Sequence, residues 1–186
     1  MSAHWSDRLL ALDACEDGIT WAATSADPQS AWDRCERPDW MLWLLGIRGD
    51  PAAIAEIACR VAESAAHPVG DGGEYWAKLA IAAARAVIAD PCERTINAMS
   101  EVANDAAWVA RYAMGPIPDA TRNAIYAAGY AALATWHASS TASDTVLAAR
   151  AAFAACHAIG VASYAAFGDI IRAVVPRVPD IEEVAR

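Results

Sequence analysis

The sequence has almost no lysine and little phenylalanine, and nearly all of its basic charge is arginine. Lys78 is the one lysine among 14 basic residues, while 23 acidic residues leave a formal net charge of −9. Two phenylalanines stand against eight tryptophans. Because a protein that binds nucleic acid needs a basic face to neutralise phosphates, this balance argues against a nucleic-acid partner.

Paired cysteines and metal-binding spacings are also missing. The five cysteines stand singly, with no CxxC pair and no signal peptide before them, so we expect reduced, mostly buried thiols in a cytoplasmic protein. The four histidines show no HxxH, HxxxH or ExxH spacing. We therefore expect no metal and no cofactor. Because no nucleophile–base pair and no phosphate-binding glycine loop follows from the spacing, we predict that the protein is not an enzyme.

Two long runs lack every charged residue, but they do not indicate a membrane protein. Residues 123–143 and 151–168 contain no Asp, Glu, Lys or Arg, and each approaches the length of a spanning helix. Their bulk is alanine mixed with serine and histidine, and no cluster of positive charges flanks either run. We interpret both runs as buried helices of a soluble domain.

The composition predicts an all-α fold. Alanine supplies roughly a quarter of the chain, valine and threonine are sparse, and no stretch alternates with period two. Asp-Pro pairs at 27–28, 50–51 and 90–91 predict helix starts, and Ser6 can cap a first helix. We expect one compact bundle over residues 1–186 with about seven to nine helices. The predicted helices cover 6–16, 18–25, 28–36, 38–47, 51–66, 73–89, 91–113, 118–138 and 144–174, with a final turn near 180–185.

The alanine-rich C-terminal part predicts a helical hairpin over residues 118–175. Tyr126, Tyr130 and Leu133 recur at i, i+4 and i+7, and a similar stripe runs from Phe153 to Phe167. Small side chains between these residues allow close helix packing. We expect the two helices to pack antiparallel, with the aromatic side chains in the core.

The N-terminal part, residues 1–48, is rich in tryptophan and acidic residues. It holds five of the eight tryptophans, including Trp32, Trp40 and Trp43. Tryptophan and arginine are frequent anchors of binding surfaces, which favours a recognition role. The alternative is that these tryptophans only fill volume between alanine-rich helices. We expect both roles, with Trp40 buried and Trp32 partly exposed.

Two segments resemble a known family. Residues 32–44, with Trp32, Cys35 and the run Asp39-Trp40-Met41-Leu42-Trp43-Leu44, resemble the W…C…DWMLWL signature of alanine-rich helical immunity proteins from bacterial polymorphic-toxin and phage genomes. Residues 169–176, Asp-Ile-Ile-Arg-Ala-Val-Val-Pro, resemble the closing motif of the same family. Pro38 and Ala173 depart from its usual Gly and Arg. The resemblance implies a helical binding protein without catalytic residues.

The function implied by this resemblance is neutralisation of a toxin by direct protein–protein binding. An acidic, rigid helical domain suits a basic partner, because complementary fields speed the encounter. The candidate partner-binding residues are Trp32, Asp33, Glu36, Arg37, Asp39, Asp169 and Arg172.

Two other functions stay open. One is a phage counter-defence protein that sequesters a nucleotide-like signal, because aromatic rings stack on bases and arginine pairs with phosphate. The candidate ligand-pocket residues are Arg122, Tyr126, Tyr130, Trp136 and Tyr164. The other is a self-associating structural protein, since the high apolar fraction favours a homodimer.

Overall fold

The computed structural model describes residues 4–48, 50–66, 73–112, 119–140, 148–152, 154–155 and 164–181. Over these ranges every regular element is a helix and no strand is present, which confirms the all-α prediction. Ten helices are described there, close to the expected number. They are α1 (Asp7–Ala11), α2 (Glu16–Ala22), α3 (Pro28–Arg34), α4 (Pro38–Arg48), α5 (Pro51–Ala66), α6 (Gly73–Ala89), α7 (Glu93–Tyr112), α8 (Asp119–Ser140), α9 (148–152 and 154–155) and α10 (Tyr164–Val174).

Two of the three Asp-Pro pairs start helices as predicted. The Asp27 carboxylate accepts a hydrogen bond from the Ser30 amide at 2.9 Å, and α3 begins at the next residue. The Asp50 carboxylate accepts from the Ala53 amide at 3.0 Å and caps α5 in the same way. In both cases proline occupies the first helical position, where a missing amide hydrogen costs nothing.

The prediction that α7 starts at residue 91 is wrong. The helix begins at Glu93, and the residue that organises its start is Thr95. The Thr95 hydroxyl accepts from the Cys92 amide at 3.1 Å and donates to the Asp90 carbonyl at 2.7 Å. A hydroxyl three residues beyond Cys92 therefore takes the capping role that the sequence suggested for Asp90.

The prediction of one helix over 6–16 is also wrong, because α1 ends at Ala11. Asp13 adopts a left-handed conformation with φ of 59°. Its amide donates to Leu10 O at 3.2 Å, and the Ala14 amide donates to Leu9 O at 3.0 Å. This pair of bonds is a Schellman motif, which usually carries glycine at the left-handed position. Ser6 lies at the N-cap without a capping bond, and its hydroxyl contacts His4 Nδ1 instead.

Helix α8 lies against α5, α6 and α7, and most of its buried residues are alanines. Small side chains leave little space between helices, so the backbones approach closely. Helices α5 and α6 also pack against each other, and both bury alanines beside larger aliphatic side chains such as Ile57 and Val87. The fully buried alanines of this packing are Ala58, Ala62, Ala77, Ala80, Ala84, Ala124, Ala127, Ala128 and Ala131.

The stripe Tyr126, Tyr130 and Leu133 faces away from this packing, so its predicted core position is wrong, although Ile125 of the same helix is buried. Tyr126, Tyr130, Leu133 and Trp136 are 37–44% exposed. The physical reason is volume, since an interface built from alanine has no room for aromatic rings. Of the second predicted stripe, Phe167 is 3% exposed and lies in the core as predicted, whereas Phe153, Cys156, Gly160 and the side chain of Tyr164 lie outside the described residues.

The remaining helices connect the two ends of the chain. Helix α10 packs against α4 and α5, which places the segment after Val174 beside the N-terminal helices. The larger hydrophobic core includes buried residues from all ten described helices and from Ile181. None of the described helices combines the length and apolarity that crossing a bilayer requires.

Two neighbouring positions on α8 test the alanine packing. Ala131 is fully buried, so Ala131→Leu should lower the free energy of unfolding by about 1–3 kcal/mol through overpacking. A Cβ built at Gly129 meets no atom within 4 Å, so Gly129→Ala should raise it by about 0.5–1 kcal/mol. Urea denaturation followed by circular dichroism measures both. Equal stability of Ala131→Leu and the unmodified chain would contradict close packing.

Candidate functional site

A cavity of about 430 Å³ lies among α1, α2, α3, α4 and the segment that follows α10. Its volume falls within the roughly 300–1,000 Å³ of typical small-molecule pockets. Its walls include five tryptophans, which are Trp5, Trp21, Trp32, Trp40 and Trp43. The N-terminal third of the chain therefore places its tryptophans around a common space.

Each tryptophan reaches the cavity from a different place in the chain. Trp5 precedes α1 and is fixed by a hydrogen bond from its Nε1 to Ser25 O at 3.0 Å. Trp21 of α2 and Trp40 of α4 pack with their ring centroids 5.8 Å apart. Gly18 of α2 faces α4, where an added Cβ would meet Cys15 Sγ at 3.3 Å and the Trp40 ring at 3.8 Å. Close packing of the Trp21 and Trp40 rings therefore forms the part of the cavity wall that α2 and α4 contribute.

The C-terminal segment closes one side of the cavity. Trp32 Nε1 donates to Val175 O at 3.0 Å, and Gln29 Nε2 donates to Pro176 O at 3.1 Å. The Val178 amide donates back to Gln29 Oε1 at 2.9 Å. Three hydrogen bonds therefore hold this segment along α3, and Val178 and Ile181 contribute to the lining.

Arg172 of α10 strengthens the same junction. Its Nη1 donates to Cys35 O at 2.9 Å, and its Nη2 donates to Asp169 Oδ1 at 2.7 Å. A Cβ at Gly168 would lie 3.1 Å from Nη2, so glycine leaves the space that the guanidinium occupies. The two segments that carry the family resemblance are therefore joined to each other across the fold, by Arg172 and by Trp32.

An ion pair between Arg37 and Asp39 lines the cavity. The Arg37 guanidinium binds both Asp39 oxygens, with Nε–Oδ1 at 2.9 Å and Nη2–Oδ2 at 2.7 Å. The same guanidinium lies over Trp40, with Cζ 4.4 Å from the ring centroid. This arrangement combines an ion pair with a cation–π contact.

Asp13 is the other acidic residue that lines the cavity. Its side chain is exposed, and within the described residues its carboxylate makes no hydrogen bond or ion pair. Exposed Asp13, Cys15 and Arg37 show that the cavity reaches the surface. A second cavity of about 370 Å³ shares Trp5, Pro28, Val178 and Ile181 with the first and borders Arg8 and Asp180.

The predicted partner-binding residues divide between structural and surface positions. Trp32 is 4% exposed, whereas Trp40 is only partly buried, so the expected burial of this pair is reversed. The reason is the bond to Val175, which draws Trp32 under the C-terminal segment. Asp33, Glu36 and Arg37 are exposed, Asp39 is half-buried beside Arg37, and Asp169 is exposed. Arg172 is half-buried and braces α10 against α3.

The predicted ligand-pocket residues line neither of the two described cavities. Tyr126, Tyr130 and Trp136 are exposed on one side of α8, and Arg122 is half-buried on that side. Tyr164 begins α10, and its side chain lies outside the described residues. Sequestration of a nucleotide-like molecule stays a prediction that these cavities do not support.

The described cysteines are free thiols in contrasting environments. Cys35 and Cys59 are buried, Cys92 is half-buried and Cys15 is exposed, while Cys156 lies outside the described residues. Burial raises the pKa of Cys59 to about 12 and also raises the pKa of Cys35. Both thiols are therefore neutral at pH 7 and poor nucleophiles. Hydrogen bonds with Thr95 lower the pKa of Cys92.

Sequence reasoning missed several residues of this cavity. Trp5 and Trp21 belong to the same tryptophan-rich third, so their clustering was the available signal. Asp13 was recognisable only as one of the acidic residues of this third, because the left-handed position it occupies is usually marked by glycine. Val178 and Ile181 could not be assigned, since only the tertiary fold brings them to α3.

Comparison of the chain with family models, curated proteins and solved structures found no match. The resemblance to immunity proteins therefore stays a prediction.

The junction around Arg172 can be tested by substitution. Arg172→Met removes two charge-assisted hydrogen bonds and should lower the free energy of unfolding by about 1–3 kcal/mol. Arg177→Met is the matched control, because Arg177 is exposed and makes no described side-chain contact, so its effect should stay within about 0.5 kcal/mol. Urea titration with tryptophan fluorescence measures both. Equal losses would contradict a bracing role for Arg172.

Proposed function

We propose that this chain is a non-enzymatic binding protein of the immunity type, which neutralises a basic protein toxin by binding to it directly. The observation that carries the proposal is the surface-reaching cavity walled by five tryptophans. Concave sites with large aromatic walls accept the anchor side chains that dominate the affinity of protein complexes. The toxin and the cytoplasmic location rest on the family resemblance.

The charge around the cavity favours a basic partner. Asp13, Glu16, Asp17, Asp33 and Glu36 are exposed on the helices and connections that build this end of the protein. The whole chain carries a formal net charge of −9. Opposite charge on the partner raises the association rate and disfavours acidic competitors.

Binding explains the cavity better than catalysis does. Its titratable lining residues are Asp13, Cys15, Cys35, Arg37 and Asp39. Arg37 and Asp39 are bound to each other, and burial raises the pKa of Cys35 and keeps that thiol neutral. A catalytic pair needs its nucleophile and base within hydrogen-bond reach. Among the described residues no hydrogen bond joins the side chain of Asp13, Cys15 or Cys35 to such a partner, whereas an anchor site needs only shape and charge.

The proposal is tested with a partner captured on the immobilised protein and then purified. Isothermal titration of that partner compares the unmodified chain with Trp40→Ala and Trp108→Ala. Trp108 is exposed on α7 and is not part of the cavity. Trp40→Ala should weaken binding at least about 30-fold, because it removes a central aromatic contact, and Trp108→Ala should leave it unchanged.

Two controls accompany this titration. Thermal melting by circular dichroism establishes that each variant is folded, and Trp43→Ala replaces Trp40→Ala if that variant is not. Co-expression with the partner should rescue cell growth only for variants that bind. Undiminished binding by a folded Trp40→Ala variant would contradict the cavity as the binding site.

Self-association is a second candidate, which the exposed side of α8 favours. Tyr126, Tyr130, Leu133 and Trp136 form a continuous apolar stripe there. Exposed apolar patches of this kind mark association surfaces. Two copies could cover the stripe by pairing α8 with α8 about a two-fold axis.

A matched pair of leucine substitutions tests self-association by light scattering after size-exclusion chromatography. Leu133 is 40% exposed within the stripe, and Leu10 is 67% exposed on α1. If α8 pairs with α8, Leu133→Lys should weaken the dimer by about tenfold or more, whereas Leu10→Lys should not. A monomeric mass for the unmodified chain at about 100 μM would refute this candidate, since stable dimers associate far more tightly.

A further inference from the structure

The tryptophan-lined cavity has the features of a cation-binding site. Aromatic rings attract a cation placed over their faces, and tryptophan does so most strongly. Five tryptophans surround this space, and the charged residues among its lining are Asp13, Arg37 and Asp39. Two carboxylates and one guanidinium leave an excess of negative charge at the cavity.

One of these rings, that of Trp40, already has a cation of the chain itself over its face. The Arg37 guanidinium lies 4.4 Å from the centroid of Trp40, with Asp39 bound to its edge. A planar guanidinium stacks on an aromatic face while its nitrogen atoms donate sideways to a carboxylate. Arg37 thus gives an internal example of arginine recognition at this wall.

Two carboxylates line the cavity, and Arg37 pairs with Asp39 rather than with Asp13. Asp39 is occupied, whereas the Asp13 side chain has no hydrogen bond or ion pair within the described residues. Asp13 also holds a left-handed backbone conformation that glycine would adopt at lower cost. Its side chain therefore costs stability at this position and supplies, at an aromatic cavity, a negative charge that no described residue pairs with.

We propose that the cavity receives an arginine side chain of the basic partner, with the guanidinium over the tryptophan rings and paired with Asp13. The apolar stem of arginine would contact the aromatic and aliphatic wall, and the charge would lie towards the exposed mouth. This inference rests on the proposed binding function and adds the chemistry of the anchor residue.

The test compares two small probes of nearly the same shape, N-acetyl-arginine amide and N-acetyl-citrulline amide. Citrulline keeps the planar end group but carries no charge. Indole N–H signals in two-dimensional NMR spectra report binding near the tryptophans. The arginine probe should saturate with a dissociation constant on the order of millimolar, and the citrulline probe should bind at least about fivefold more weakly.

Two matched aspartate variants identify the carboxylate that pairs with the arginine probe. Asp13→Asn keeps a residue that tolerates the left-handed conformation and removes one negative charge. Asp17→Asn changes the net charge equally at an exposed position outside the cavity lining. Asp13→Asn should weaken arginine binding about fivefold, and Asp17→Asn should change it less than twofold. Arg37→Gln should strengthen binding, because it uncovers the Trp40 face.

Several outcomes would overturn the inference. These are equal binding of both probes, no saturable shift up to about 50 mM probe, equal effects of the two aspartate variants, or weaker binding by Arg37→Gln. If the purified partner still requires Trp40 in these cases, the cavity remains a protein-binding site with a different anchor. If arginine binds as expected but no partner requires Trp40, the proposed function fails and the cation site stands.

Discussion

The use of alanine as the main packing residue is the constraint on which the rest of this structure depends. Helices α5, α6 and α8 pack against one another and bury alanines such as Ala58, Ala80 and Ala128 completely. An interior of this kind leaves no volume for aromatic rings. The five tryptophans of the first 48 residues lie instead around the N-terminal cavity, and Tyr126, Tyr130 and Trp136 lie along the outer side of α8.

The cavity exists because two distant parts of the chain meet. Hydrogen bonds from Trp32 and Gln29 hold the C-terminal segment along α3, and Arg172 fixes α10 to the end of the same helix. The tryptophan motif of residues 32–44 therefore has two roles. One part of it stabilises the junction with the C-terminal segment, and another part forms an open wall of the cavity. Trp32 serves the junction, whereas Trp40 keeps a ring face towards Arg37 and the cavity.

Charge and shape act together at this end of the molecule. The aromatic walls offer contact area, and the acidic side chains around them set the sign of the expected partner. Asp13 belongs to both features, since it lies just beyond the C-terminus of α1 and lines the cavity. A residue that departs from the usual glycine of a helix terminus is thus the most informative single position of the candidate site.

The sequence by itself determined the helical class and most helix bounds. These follow from alanine content, from Asp-Pro pairs at helix starts and from the glycine and proline residues that interrupt helices, all of which act locally. It also determined the clustering of tryptophans and acidic residues in the first 48 positions. Only the tertiary structure decided which side of α8 is buried and that Trp32 lies beneath Val175. The periodicity of the sequence identifies a stripe of large residues on α8 but not whether that stripe faces the core or the solvent. Here the neighbouring helices are alanine-rich, which reverses the usual preference for burying large residues.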